Sequence, residues 1–354
     1  MGLRSLQVTD FRCLQQLRLE LDTDFTFLWG SNASGKTSLL EAIYLLGRGR
    51  SFRTRQISHL TRRGAARFVV FGEVARKHGL VSLGVEGRDG ALRARIEGRN
   101  ARSLAELALE LPVQIIDPEV HKLIEEGPGR RRRFLDWGVF HVEHSFASHW
   151  TLYQQALKQR NAALKAGQPR SVVSVWDPEL SRHGEALTQA RVQYLERLQP
   201  HAATLARQLL DREIELRFRS GWLKEISLSE ALERSWPADQ ERGATHAGPH
   251  RAELQVLVDR VLARDHISRG QQKLLAASLL LAQLRLFGQE SDGRPVLLLD
   301  APAAELDRRS LGALIEAVDR PAVQLVVTSL SQAIDGLGQP GVRWCIRDGS
   351  VQPD

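Results

Sequence analysis

The run Gly30-Ser31-Asn32-Ala33-Ser34-Gly35-Lys36-Thr37 constrains this chain more than any other stretch of it. Gly, four residues, then Gly-Lys-Thr is the spacing of a phosphate loop. The flanks carry the inference further. Phe25-Thr26-Phe27-Leu28-Trp29 leads in as an apolar strand, and Ser38-Leu39-Leu40-Glu41-Ala42-Ile43-Tyr44-Leu45-Leu46 leads out with helical spacing. A Gly-rich turn that opened a helix by chance would not need that strand. In a strand–loop–helix unit the backbone N–H groups and the helix N-terminus face a triphosphate. Lys36 then reaches the β- and γ-phosphates, and the Thr37 hydroxyl ligates Mg²⁺. Residues 30–37 are therefore expected to bind ATP, with Lys36 assisting the chemistry.

Charge adds a weaker constraint. Of the 49 Lys and Arg residues only 7 are Lys, and 42 Asp and Glu leave a net charge of +7. Arg suits bidentate phosphate contacts, although a genome biased toward Arg codons would give the same excess. With 354 residues the chain can bury a large core and divide into two lobes. Cys13 and Cys345 lie far apart and match neither a metal pattern nor a disulfide framework, so a reducing compartment is expected. No apolar run approaches the roughly 18 residues of a membrane span, and the first residues lack the apolar core of a signal peptide. The expectation is a cytoplasmic protein without a membrane partner.

Residues 3–11 and 14–21 read as strands. The phosphate loop and its helix follow, then the basic loop Gly47-Arg48-Gly49-Arg50-Ser51-Phe52-Arg53. Residues 67–99 hold short alternating strands between Gly turns, as in an antiparallel sheet. Residues 104–111 read as a short helix, and Val113-Gln114-Ile115-Ile116 as a buried strand. From 131 to about 219 the pattern is helical, divided near Pro169 and Trp176-Asp177-Pro178, without sustained heptads. Residues 221–248 read as a polar, turn-rich return. Beyond them come strands at 254–258, 296–299 and 323–327 and helices at 271–287 and 310–318. The expected fold is α/β: a nucleotide-binding head from residues 1–120 and 248–354, with an inserted, mainly helical lobe at 121–247 and no long coiled coil.

A phosphate loop needs a carboxylate at the end of a neighbouring strand to hold Mg²⁺. Val296-Leu297-Leu298-Leu299-Asp300 supplies it, from a strand apolar on both faces. Thr37 and Asp300 are thus the expected metal ligands, and Lys36 and Asp300 the residues tied to chemistry. Upstream, Ser268-Arg269-Gly270-Gln271 opens the 271–287 helix and is similar to the signature of ATP-binding-cassette ATPases. Such a helix start presents free N–H groups to a γ-phosphate, although Ser268 also suits an ordinary N-cap. Ser268, Gly270 and Gln271 join the expected nucleotide-binding residues. Glu305-Leu306-Asp307 resembles the loop that crosses to a partner subunit in that superfamily, and equally a helix-entry turn.

The motif order resembles an ABC-type P-loop ATPase head of the SMC kind, split by a compact insertion. Several stretches resemble the RecF family of bacterial recombination mediators, in family order over nearly the whole chain. They include Asp10-Phe11-Arg12, Gly35 to Tyr44, Gly49-Arg50-Ser51-Phe52-Arg53, Pro118-Glu119 and Arg132-Arg133-Phe134-Leu135-Asp136-Trp137. Lys158-Gln159-Arg160-Asn161-Ala162-Ala163-Leu164, Gly248-Pro249-His250-Arg251 and Leu306-Asp307 continue the series. The resemblance implies ATP-dependent homodimerisation, with Ser268 facing the ATP of the opposite subunit. It implies sequence-independent binding at single-strand/double-strand DNA junctions or gaps and weak DNA-stimulated ATP hydrolysis. It also implies a role in loading recombinase with RecO and RecR in the SOS and repair response.

Arg48, Arg50, Arg53 and Arg55, and Arg130 to Arg133, are candidate phosphate contacts, with intramolecular pairing as the equal alternative. His250 either lies close to the nucleotide or holds a turn. One position departs from the family. Its members usually carry Asp-Asp after the apolar strand, where this chain has Asp300-Ala301-Pro302. Ala301 accepts no proton, and help of that kind is worth about 10²–10⁴-fold in rate. The switch position after the last strand falls at Thr328-Ser329, and Ala33 stands where a Gly is common. Whether the chain is an enzyme is therefore open: a slow ATPase, or a clamp that binds ATP and barely hydrolyses it. A P-loop nucleotide kinase is the third class, which the Ser268 signature and the basic helical lobe disfavour.

Overall fold

The computed structural model describes residues 2–77, 79–291 and 293–353. The chain forms two compact units, Met1–Val120 with Phe287–Asp354, and His121–Leu286. In the first unit a mixed sheet runs in the order Ser350–Pro353, Val342–Arg347, Phe25–Trp29, Gln324–Ser329, Val296–Leu299, Val113–Ile116. All of these pair in parallel except Ser350–Pro353. Val296–Leu299 and Gln324–Ser329 are buried at every residue, as parallel strands covered on both faces must be. An antiparallel sheet of six strands follows the order Leu14–Glu20, Gly2–Phe11, Arg67–Arg76, Gly79–Arg88, Ala91–Ile96, Arg99–Asn100.

The helix Lys36–Arg48 joins the two sheets. It is buried without a break from Ser38 to Gly47 and packs against strands of both. A helix apolar on all sides is one enclosed by protein. Its single acid, Glu41, is 0% exposed. It accepts two hydrogen bonds from Arg12, at 2.8 and 2.7 Å, and one from the Ser51 hydroxyl. A buried carboxylate is tolerable only when paired in this way.

In the second unit the longer helices are Pro128–Val142, Phe146–Lys165, Asp177–Leu210, Leu228–Arg242 and most of Arg269–Glu290. The structure departs from the sequence expectation in three places here. Residues 214–219 form a strand, Ile214–Arg219, instead of a helical tail. The return at 221–248 holds the helix Leu228–Arg242, capped by Ser227, whose Oγ accepts from the Glu230 N–H at 3.1 Å. Finally, the unit extends to Leu286, whereas the expected boundary was at 247/248. The reason lies in strand pairing. Glu253–Val258 pairs residue by residue with Ile214–Arg219 and carries Val261–Leu262 on its other edge.

Two buried polar groups hold this unit together. Arg160 bonds Asp177 at 2.7 Å, Asp239 at 2.6 Å and Thr245 at 2.9 Å, and both Arg160 and Asp239 are 0% exposed. Asn161 accepts from the Thr245 N–H at 2.8 Å. His250 holds the following turn. Its Nε2 faces the Thr245 carbonyl at 3.0 Å and must donate, so Nδ1 is the acceptor for Tyr153 OH at 2.6 Å. Burial pushes His250 down from 6.5 to about 4, against the opposing pull of the Thr245 carbonyl.

Removing the cation of a buried pair leaves an uncompensated charge and costs about 3–5 kcal/mol. Arg160→Met is expected to destabilise the helical unit by that order, read from urea unfolding followed by tryptophan fluorescence. For His250 the unfolded chain takes up its proton near 6.5 and the folded chain only near 4. Its contribution is thus intact above pH 6.5 and is lost as pH falls toward 4. The loss is expected to reach up to about 1.4 kcal/mol per pH unit. His250→Gln should flatten this limb of a stability–pH curve.

Candidate nucleotide site

Parallel register brings the expected residues to one edge of the mixed sheet. Trp29 lies beside Ser329, and Leu299 lies between Val327 and Ile116. Gly30 and Asp300 therefore both leave the sheet at the carboxyl ends of its strands, where open α/β sheets bind ligands. Gly30 is required by space, because a Cβ there would lie 2.2 Å from the Ile346 carbonyl oxygen. Gly35, at φ 111°, starts the helix in a conformation that favours glycine. The loop closes on its own cation: Lys36 Nζ donates to the Gly30 and Ser31 carbonyls at 2.8 and 2.6 Å. Burial lowers the Lys36 pKa, and the charge of Asp300 opposes that shift. Gly349, in the turn between the last two strands, donates to Ser34 O at 2.9 Å. Ser31, Asn32 and Ala33 face solvent.

Opposite the loop, Thr37 Oγ1 lies 3.1 and 3.0 Å from the two carboxylate oxygens of Asp300. A hydroxyl and a carboxylate this close are the hard oxygen donors that Mg²⁺ takes beside phosphate. The residues present therefore fit a Mg–ATP group. Thr328 ties this pair to the adjacent strand. Its hydroxyl donates to Asp300 Oδ1 at 2.8 Å and accepts from the Ala301 N–H at 2.9 Å. Ala301 stands at φ 47°, ψ 50°, left-handed, and Ala33 at φ 61°. Each is a backbone strain of roughly 1–2 kcal/mol for a residue with a Cβ.

The sequence marks Thr328 only as a hydrogen-bonding residue, and its double role depends on a strand pairing that spacing does not reveal. The support from Ile346 and Gly349 lies outside the sequence expectations, which place no strand at Val342–Arg347 or Ser350–Pro353. The alternation Val342, Trp344, Ile346 was the available signal.

In the second unit, Ser268 and Gln271 form a reciprocal cap. Gln271 N donates to Ser268 Oγ at 3.3 Å, and Ser268 N to Gln271 Oε1 at 3.0 Å. Ser268, Arg269 and Gly270 are exposed at the start of a 22-residue helix. Asp307 caps Arg308–Ala317 through the N–H groups of Arg309 and Ser310, which is a helix-entry turn.

The basic cluster at 130–133 largely resolves into internal bonds, and the one at 48–55 does so in part, with Arg50 and Arg55 exposed. Arg131 is buried, bonded to Glu253 and to the carbonyls of Leu123, Ile124 and Glu126. Arg130 pairs with Glu126, Arg132 bonds Ala252 O, and Arg53 lies 3.6 Å from Glu41. Arg48 sits over the Tyr44 ring.

Phosphate loop, strand-end carboxylate, antiparallel side sheet and inserted helical unit together define an ABC-type ATPase head of the SMC kind. The family model described as RecF/RecN/SMC N terminal domain matches residues 2–336. The DNA replication and repair protein RecF of Thioalkalivibrio sulfidiphilus (strain HL-EbGR7) is 41% identical, covering 89% of this chain and 88% of that protein. The protein of the same name from Vibrio cholerae serotype O1 is 38% identical, over 87% and 86%. A solved structure of the recombination mediator protein RecF-ATP in the RecFOR pathway superposes with a TM-score of 0.90 at 28% identity, covering 100% and 97% of the two chains. An SmcHead bound to the C-winged helix domain of ScpA shares the fold at a TM-score of 0.60 and 16% identity. The chain belongs to the RecF family. No helix among the described residues is long and apolar enough to cross a membrane.

Thr328→Val keeps the shape of the side chain and removes both hydrogen bonds, leaving the Ala301 N–H without its acceptor. It is expected to destabilise the head by about 1–3 kcal/mol, seen as a lowered midpoint in thermal unfolding.

Proposed function

We propose that this chain is an ATP-dependent DNA-binding protein of recombinational repair and replication. It dimerises on ATP at single-strand/double-strand junctions or gaps in DNA and helps to load recombinase, together with RecO and RecR, in the cytoplasm. The observation that carries the reading is the Thr37–Asp300 pair at the mouth of the phosphate loop, in a chain whose relatives are DNA replication and repair proteins. Residues Gly30 to Thr37 hold the triphosphate, and Thr37 and Asp300 hold Mg²⁺, which supplies charge neutralisation between the phosphates. The exposed helix start at Ser268, Gly270 and Gln271 faces the ATP of a second copy, whose phosphate takes the place of the reciprocal Ser268–Gln271 cap on its N–H groups. Nucleotide then acts as the joint between two heads, and phosphate contacts hold DNA without reading its sequence.

Hydrolysis is slow in this reading, because Ala301 offers no oxygen to orient an attacking water. A second version of the function is favoured by the same residue: a DNA clamp closed by ATP and reset only rarely. The left-handed backbone at Ala301 is one that Asp tolerates better than most residues. Ala301→Asp can therefore be made without moving the turn.

Steady-state ATP turnover, with and without gapped duplex, tests both versions. The native chain is expected to be nearly silent, and Ala301→Asp to restore DNA-stimulated turnover by about 10²-fold or more. Native turnover already equal to that of the variant would exclude the clamp version. Lys36→Ala is expected to abolish ATP binding and ATP-dependent dimerisation. Dimers and DNA binding unchanged in that variant would remove the nucleotide-site assignment altogether.

A further inference from the structure

Besides the exposed Arg50 and Arg55 near the phosphate-loop helix, another basic surface on the head stands out. The outer face of the antiparallel sheet forms a groove of about 870 Å³. Its floor is apolar, with Val69 and Phe71 half-buried on the face that carries Arg93 and Arg95. Four arginines line it, Arg67, Arg93, Arg95 and Arg102, against a single acid, Glu86. Arg67 bonds Glu86 at 3.0 Å. Arg93 and Arg95 are exposed, and neither they nor Arg102 have an ion-pair partner among the described residues. The sheet keeps them on one side: residues two apart along a strand share a face, as Arg93 and Arg95 do on Ala91–Ile96. Strand geometry was needed to see this, since in the sequence these cations are scattered over some thirty-five residues.

We propose that this groove holds a single strand of nucleic acid, with its phosphates on Arg93, Arg95 and Arg102 and a base against the Phe71 ring. The proposal rests on the DNA-binding reading above and adds the surface that takes the single-stranded side of the junction. Three unneutralised guanidinium groups around an apolar floor match a chain that is anionic along its backbone and flat and apolar at its bases. The aromatic floor separates single strand from duplex. Same-face arginines repeat about every 6.7 Å along a strand, a spacing that the phosphates of either form meet. A base freed from stacking can lie on Phe71, whereas the bases of a stacked duplex cannot.

The test measures the full-length chain with ATP, by fluorescence anisotropy, on oligodeoxythymidine and on blunt duplex between about 50 and 200 mM salt. The double variant Arg93→Glu/Arg95→Glu is expected to weaken oligodeoxythymidine binding at least tenfold. Its salt dependence should flatten by about 0.7 in slope for each phosphate that is no longer neutralised. Phe71→Leu should weaken single-strand binding about fivefold or more and leave duplex binding alone. Reversal of Arg207 and Arg234, exposed cations of the other unit, changes net charge equally and should leave binding within twofold. Nucleotide affinity should stay native in all three variants.

Several outcomes overturn the proposal. If the native chain binds DNA and the Arg93/Arg95 reversal changes neither affinity nor slope, the groove does not hold the strand, and the general function stands. An equal loss from the control reversal rules the groove out in the same way. Equal losses on duplex and single strand, with Phe71→Leu silent, would make the occupant a duplex backbone. Polyglutamate displacing oligodeoxythymidine at equal charge would make it an acidic protein. A native chain that binds no DNA in the presence of ATP would bring down the functional reading and the groove together.

Discussion

The parallel pairing of Phe25–Trp29 with Gln324–Ser329 is the contact on which the head depends. It joins segments some three hundred residues apart and sets the register that places Gly30, Asp300 and Thr328 at one edge. A slip of one residue would turn every side chain of a strand to the other face. It would take the Thr328 hydroxyl away from Asp300 and from the Ala301 N–H at once. The buried polar residues guard against such a slip, since Gln324 and Thr328 find their partners in one register only. Gln324 closes the start of the pair by bonding the Leu3 N–H and carbonyl and the Asp22 carbonyl.

Much of the head was legible because its signals are local. A phosphate loop carries its strand and helix on either side, and an apolar run ending in Asp is read without knowing its neighbours. The inserted unit was less legible for physical reasons. Leu228–Arg242 contains Pro237 and is mostly polar, so its start signal, Ser227 with Glu230, was masked by composition. Ile214–Arg219 alternates Arg and Glu with Ile, Leu and Phe, and only its pairing with Glu253–Val258 makes it a strand. The division between units followed that pairing and not the change in composition near 248.

Arginine in this protein does two kinds of work that sequence alone does not separate. Arg12, Arg131, Arg160 and Arg191 are fixed inside the fold, each on a carboxylate. Their forked donors satisfy several acceptors at once, as the ammonium group of Lys does less well. On the sheet face, Arg93, Arg95 and Arg102 have no such partner among the described residues. An excess of guanidinium groups is thus partly internal scaffolding, and only the remainder is available to a polyanion.

The crowding of Gly30 against the Ile346 carbonyl, and the bond from Gly349 to Ser34, bear on how the protein is made. The phosphate loop is translated some three hundred residues ahead of its outer wall, which residues 346–349 supply. Until those residues leave the ribosome, the loop lacks both its neighbouring strands and the turn that holds Ser34. The helical unit, whose own strands and helices lie within 121–286, can fold well before that moment. Nucleotide capture is therefore a late event in the life of the nascent chain, waiting on residues made long after the loop itself.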